Sequence, residues 1–179
     1  MARGDQIGRQ WGIIQTLVSS RRGKTAAELA EELECNGAKF YRQAAENVAD
    51  KQIKQFLLDL SVMEEGHLKA FQQMRKELGD EEKKPTIYDP DNQAVLYLQA
   101  MADDHGYEGK ITPAQPLTGN ESTTEIIEIA LNSEKESVVF YFGLKAMVSA
   151  KAGKDKVEAI ILEELSHITS LLNQLKALN

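Results

Sequence analysis

The stretch LSVMEEGHLKAF, residues 60–71, and its counterpart IILEELSHITSL, residues 160–171, decide how this chain folds. Each carries a glutamate and a histidine three residues apart, Glu64 with His67 and Glu164 with His167. On a helix that spacing puts both side chains on one face. Here the face is the apolar one: Leu57, Leu60, Leu68 and Phe71 surround the first pair, and Ile160, Ile161, Ile168 and Leu171 surround the second. Both pairs are therefore expected to point into a core.

Working outward, an offset of one hundred residues aligns the two halves of the chain without a gap. Glu34 meets Glu134, Phe40-Tyr41 meets Phe140-Tyr141, and Leu60 meets Ile160. Apolar residues spaced three and four apart mark one helix from Ala26 to Val48, behind a Thr25/Glu28 capping box. A second runs from about Ile53 to Leu78, with Gly79 as its stop. A third runs from Thr123 to Ala150 behind a Ser122/Glu125 capping box, and after Gly153 a fourth is expected to be capped by Asp155 with Glu158. The short connections near Asp50 and Gly153 make antiparallel neighbours. The segment at about 80–122 contains all four prolines and an apolar patch from Ala94 to Met101 that suits a short helix. A helix of roughly 25 residues is about 38 Å long, so a connection of this length is what a crossover between bundle ends requires. The expectation is an all-α antiparallel four-helix bundle at 25–179, with one long crossover between helices two and three and a pseudo-twofold relation between its halves. Residues 1–24 form a separate N-terminal segment with room for a short helix.

Composition supports one globular domain. The 179 residues are 42% hydrophobic and 27% charged, and no apolar run approaches the 18 or so residues that span a bilayer. The start of the chain lacks a clean signal-peptide cleavage site, so a cytoplasmic protein is expected, with no membrane partner. A formal charge of −7 with interspersed bases argues against a nucleic-acid partner. A lone cysteine, Cys35, rules out an internal disulfide and a paired-cysteine metal knuckle.

Glu34 beside Leu33 and Gly37, and Glu134 between Leu131 and Val138, lie on the inner faces of helices one and three. Collecting Glu34, Glu64, Glu134 and Glu164 in one core would cost several kcal/mol per ionised carboxylate, about what each desolvated charge loses after relaxation. Two divalent cations would offset that cost, held by Glu34, Glu64, His67, Glu134, Glu164 and His167. A single Glu-x-x-His is most often a solvated helix face. Two of them, using two of the chain's three histidines and matched by inward glutamates at equal spacing, make a much stronger signal. Carboxylate and imidazole ligands suit iron, manganese or zinc. The adjacent Glu65 and Glu163 are expected to contribute far less.

Taken together, Glu34, Phe40-Tyr41, Glu64-x-x-His67, Glu134, Phe140-Tyr141 and Glu164-x-x-His167 resemble the rubrerythrin branch of the ferritin-like superfamily, over about residues 25–179 apart from the crossover. One Glu from each of two helices plus a Glu-x-x-His from each of the others is the ligand set of ferritin-like di-iron and di-manganese bundles. The resemblance implies two iron ions, with Glu64 and Glu164 shared between them, Glu34 and Glu134 terminal, and one histidine on each. It also implies reduction of hydrogen peroxide or oxygen, or oxidation of ferrous iron, with these four carboxylates as the catalytic residues, and a homodimer. The chain departs from the family in two ways. Ser137 stands where rubrerythrins carry an additional Glu one turn after the helix-three ligand, and its equivalent on helix one is Gly37. No paired cysteines of a rubredoxin-like segment are present, so the electron donor is expected to be a separate protein, such as a rubredoxin, or a small reductant.

Other residues admit several readings. Tyr41 and Tyr141 can hydrogen-bond carboxylates, relay an electron, or serve as core tyrosines. Cys35, with no basic neighbour, reads as a small structural side chain, His105 among Asp103, Asp104 and Glu108 as a surface residue or an accessory metal ligand, and Trp11 as an anchor for the N-terminal segment. Manganese catalase, iron storage in a hollow shell, and a structural or sensing metal site are the competing functions.

Overall fold

A computed structural model describes residues 26–78 and 116–178. They form four helices and, among the described residues, no strand: α1 Ala26–Asn47, α2 Lys51–Glu77, α3 Thr123–Met147 and α4 Lys154–Leu178. Thr25, Gly79, His105, Trp11 and the whole apolar patch at 94–101 lie outside the described residues.

Local chemistry sets the helix starts. Asp50 caps α2, its Oδ1 accepting from the backbone N–H of Gln52 at 2.8 Å and of Ile53 at 3.0 Å. The Ser122/Glu125 capping box expected at the start of α3 is present in both directions. At α4 the expected cap is corrected. Gly153 holds the capping position, its carbonyl accepting from the Val157 N–H, and Asp155 lies in the first turn, where its charge complements the helix N-terminus. Gly153 is needed there because its φ is +98° and a Cβ would stand 2.8 Å from Met74 Cε on α2. The third helix also ends earlier than expected, at Met147, because Val148 is extended and residues 149–153 turn back on themselves.

Side-chain pairs fix the directions of the helices. Glu31 meets Arg75 and Arg42 meets Glu65, so α1 and α2 are antiparallel. Lys145 meets Glu158 between α3 and α4, Lys156 meets Glu77 between α2 and α4, and Glu34 and Tyr41 meet Tyr141 and Glu134 between α1 and α3. Every neighbouring pair is thus antiparallel, and α3 begins at the end of the bundle opposite to that where α2 stops. The surface ion pairs among these contacts contribute little stability.

Two apolar clusters fill the bundle. One gathers Phe40, Ala44, Leu57, Leu60, Ile127, Ala130 and Leu171. The other gathers Ala30, Phe71, Phe140, Leu144, Val157, Ile160 and Ile161. The offset of one hundred residues carries Phe40, Ala44, Leu57 and Leu60 onto Phe140, Leu144, Val157 and Ile160, and Ala30 and Phe71 onto Ala130 and Leu171. The internal repeat is therefore a repeat of packing, with a polar layer between its two apolar halves.

Candidate metal centre

Each helix contributes to that polar layer from its inner face. Glu34 comes from α1, Glu64 and His67 from α2, Glu134 from α3, and Glu164 and His167 from α4. All six are buried, none more than 4% exposed. Glu34, Glu64, His67 and Glu164 each offer one ligand atom within 4.8 Å of the others, and so do Glu64, Glu134, Glu164 and His167. Glu64 and Glu164 belong to both sets. The rings of His67 and His167 stack across the centre with centroids 5.8 Å apart.

His67 Nδ1 lies 3.2 Å from Glu164 Oε1 and 3.4 Å from Glu34 Oε2. His167 Nδ1 lies 2.9 Å from Glu164 Oε2, 3.5 Å from Glu134 Oε1 and 3.6 Å from Glu64 Oε1. Several of these buried atoms have no hydrogen-bond partner, namely Glu34 Oε2, Glu64 Oε1, His67 Nδ1 and Glu164 Oε1. Buried polar atoms are nearly always satisfied, and four orphans in one cluster are what a cation would satisfy. The donor set of oxygens and imidazole nitrogens suits iron, manganese or zinc.

The electrostatics without metal show how much the arrangement costs. Burial, reinforced by Glu34 and Glu164, pushes the Glu64 carboxyl well above its ordinary range. Burial and the neighbouring Glu164 push Glu134 up to about 8. Burial also opposes ionising Glu164, but the ring nitrogens of His167 and His67, 2.9 Å and 3.2 Å from its oxygens, outweigh it and hold that carboxyl well below the usual value. Burial disfavours charge on the histidines too, yet Glu164 and Glu34 raise His67 to about 11, and Glu134 and Glu164 raise His167 to about 9. The cluster thus holds protons where cations would otherwise sit.

The tyrosines join this layer by crossing the bundle. The Tyr41 hydroxyl donates to Glu134 and the Tyr141 hydroxyl donates to Glu34, each reaching the carboxylate of the opposite half. Burial and the surrounding carboxylates push both phenols well above their ordinary value, so both keep their protons. Tyr141 is held in place by stacking on Phe71, with centroids 5.3 Å apart. Ser137 is buried beside the cluster, whereas at Gly37 an added Cβ would stand 3.2 Å from Glu64 Oε2. Cys35 is free and partly buried.

The two neighbouring glutamates behave differently. Glu65 pairs with Arg42 on the surface. Glu163, expected to be a bystander, has Oε2 2.9 Å from His67 Nε2. Sequence reasoning missed this contact because the matching position in the other half is Met63, so the internal repeat gives Glu163 no counterpart. The doubled acid Glu163-Glu164 beside a core histidine on the facing helix was the available signal.

Four antiparallel helices around a buried layer of four carboxylates and two imidazoles, arranged in two sets with two shared members, define a carboxylate-rich centre whose donors suit a metal cofactor. The sequence matches the rubrerythrin family over residues 26–176, and the chain belongs to that family. Among solved structures it is similar to the crystal structure of a protein of Thermotoga maritima described as a ferritin-like diiron-carboxylate protein. The TM-score is 0.64 at 23% identity, covering 86% of this chain and 94% of that one. The fold is thus the ferritin-like bundle. No curated protein matches. Among the described residues no helix is long and apolar enough to cross a membrane.

Proposed function

We propose that this chain binds two iron ions through Glu34, Glu64, His67, Glu134, Glu164 and His167, and uses them to reduce hydrogen peroxide to water. The observation that carries the reading is the pair of four-residue sets that share Glu64 and Glu164, with four orphaned ligand atoms among them. Glu64 and Glu164 would hold both ions and the remaining four residues one each, and a ferrous pair so held would supply the two electrons that peroxide reduction takes.

The chain's own residues set the conditions for that chemistry. Glu64 and Glu164 sit at the centre, where each reaches both sets. Tyr141 and Tyr41 orient the outer carboxylates Glu34 and Glu134 and keep a proton at each. The two apolar clusters close the layer from either end and keep bulk water from it. Reduction of one peroxide consumes two electrons and two protons and yields two waters. Sustained turnover therefore draws electrons from a donor other than these residues, because Cys35 is the only cysteine of the chain. A rubredoxin-type carrier or another low-potential reductant fits that role. Ferrous oxidation by oxygen is the second reading, resting on Ser137, a hydroxyl at the position one turn after Glu134 that could carry a further acid.

The test is anaerobic loading with ferrous iron, followed by peroxide with and without a reduced carrier. Without donor, consumption should stop at about one peroxide per pair of ions, since the pair holds two electrons; with donor it should continue. Sustained oxygen release without donor would overturn the reading in favour of a catalase. Oxidation by oxygen but not by peroxide would overturn it in favour of a ferroxidase.

A further inference from the structure

The internal repeat makes the asymmetry at Glu163 informative. Glu163 and Met63 occupy equivalent positions, each one residue before a shared carboxylate on α4 and α2. Glu163 reaches across to His67 and accepts a hydrogen bond from Nε2 at 2.9 Å. A carboxylate oxygen accepts, so Nε2 of His67 keeps its hydrogen, and Nδ1, which faces Glu34 and Glu164, is the nitrogen that can give up its proton to an ion. Nothing does this for His167. Its Nδ1 faces the cluster in the same way, but its buried Nε2 has no partner, and Met63 offers only a thioether. A carboxylate behind a ligating imidazole fixes its tautomer and ring orientation and makes it a better donor to metal; losing such a partner commonly costs about 10–100-fold in affinity.

We infer that the two halves of the centre are inequivalent, and that the half built from Glu34, Glu64, His67 and Glu164 takes its ion first and more tightly because Glu163 holds His67 from behind while His167 has no such support. The inference rests on the two-metal reading given above. Glu163 is a positioning residue: it touches no position where an ion would sit and acts through His67. Its side chain is 59% exposed, so replacing it does not threaten the core. Met63 is also partly exposed, at 39%, so a glutamate, which reaches about as far as methionine, can replace it.

The experiment is an anaerobic titration of the full chain with Co²⁺ alone, followed by visible absorption and calorimetry. The wild type should bind in two steps whose affinities differ by about tenfold or more. Glu163→Leu should weaken the first step by about 10–100-fold and merge the two, while Glu163→Gln, whose amide oxygen can still accept, should restore part of the difference. Met63→Glu should strengthen the second step and leave the first unchanged. At one equivalent of Co²⁺, proton NMR should show one shifted, slowly exchanging imidazole N–H that disappears in Glu163→Leu. A single step for both ions in the wild type, or equal weakening of both steps by Glu163→Leu, overturns the inference while leaving two-metal binding intact. Failure of every variant and the wild type to retain Co²⁺ overturns both.

Discussion

Replacing Gly37 with alanine tests whether the centre depends on the close approach of α1 to Glu64. Gly37 lies inside α1, and an added Cβ would stand 3.2 Å from Glu64 Oε2 and 3.4 Å from its Cδ and Cγ. The methyl therefore presses along the end of the side chain that both candidate sets share. In the metal-free protein two effects oppose each other. Alanine stabilises a helix interior by about 0.8–1 kcal/mol relative to glycine. Pushing Glu64 off its rotamer costs about 0.5–1.5 kcal/mol. The stability of the metal-free protein should accordingly change by less than about 1 kcal/mol, in either direction. Ions held by both sets would fix Glu64 in place, because Glu34, Glu134, Glu164 and both histidines offer their ligand atoms around it. Such centres must be held to within about 0.5 Å, so a displacement of a few tenths of an ångström at a carboxylate common to both sets uses up much of that margin and should weaken binding by about tenfold, or about 1.4 kcal/mol. At ligand a hundredfold above the wild-type dissociation constant, metal stabilises the wild type by about 2.7 kcal/mol. The variant should retain about half of that. In a domain of this size the increment in unfolding temperature should fall by about 3–6 °C, because each kcal/mol shifts the midpoint by about 2–4 °C. Differential scanning fluorimetry with and without Mn²⁺ reads both quantities on one sample. An unchanged metal increment would refute the idea that Gly37 is a spacer for Glu64.

Three further outcomes follow from the same geometry. Tyr141→Phe removes the hydroxyl donor to buried Glu34 and should cost the metal-free protein about 1–3 kcal/mol in urea unfolding; a loss under about 0.5 kcal/mol would show that this contact carries no weight. For pH, Glu134 binds its proton up to about 8 in the folded state instead of 4.5, His67 up to about 11 and His167 up to about 9 instead of 6.5. The folded chain therefore holds more protons than the unfolded one across this range, so metal-free stability should fall as pH rises from about 5 to about 9; a rise in unfolding temperature over that window would contradict the assignment. Because those protons must leave before Nδ1 of either histidine can bind an ion, apparent metal affinity should tighten with pH, with an overall slope of about two or more per pair of ions. A pH-independent affinity would show that the histidines are not ligands.

Much of this architecture is legible in the sequence because the repeat states it twice. Periodicity places the four helices, and the hundred-residue offset alone brings Glu34, Glu64 and His67 into register with Glu134, Glu164 and His167. What was not legible depends on contacts between helices. That Tyr41 serves Glu134 and Tyr141 serves Glu34 follows from the antiparallel register of α1 against α3, which no local pattern encodes. The choice of Gly153 over Asp155 at the start of α4 is made by the positive φ and by Met74 lying against the glycine. Glu163 was invisible for a different reason: reading by symmetry finds what the halves share, and Glu163 is where they differ. Its contact with His67 becomes visible only when α2 and α4 are side by side.

Whether two ions share Glu64 and Glu164 is decided by a count of bound metal. Protein loaded anaerobically with ferrous iron and freed of excess by gel filtration should carry about two ions per chain. Glu164→Ala, which removes a member of both sets, should lower the count well below that, while Glu65→Ala, a surface partner of Arg42, should leave it unchanged. One ion or none in the wild type, or two ions retained in Glu164→Ala, would contradict the account.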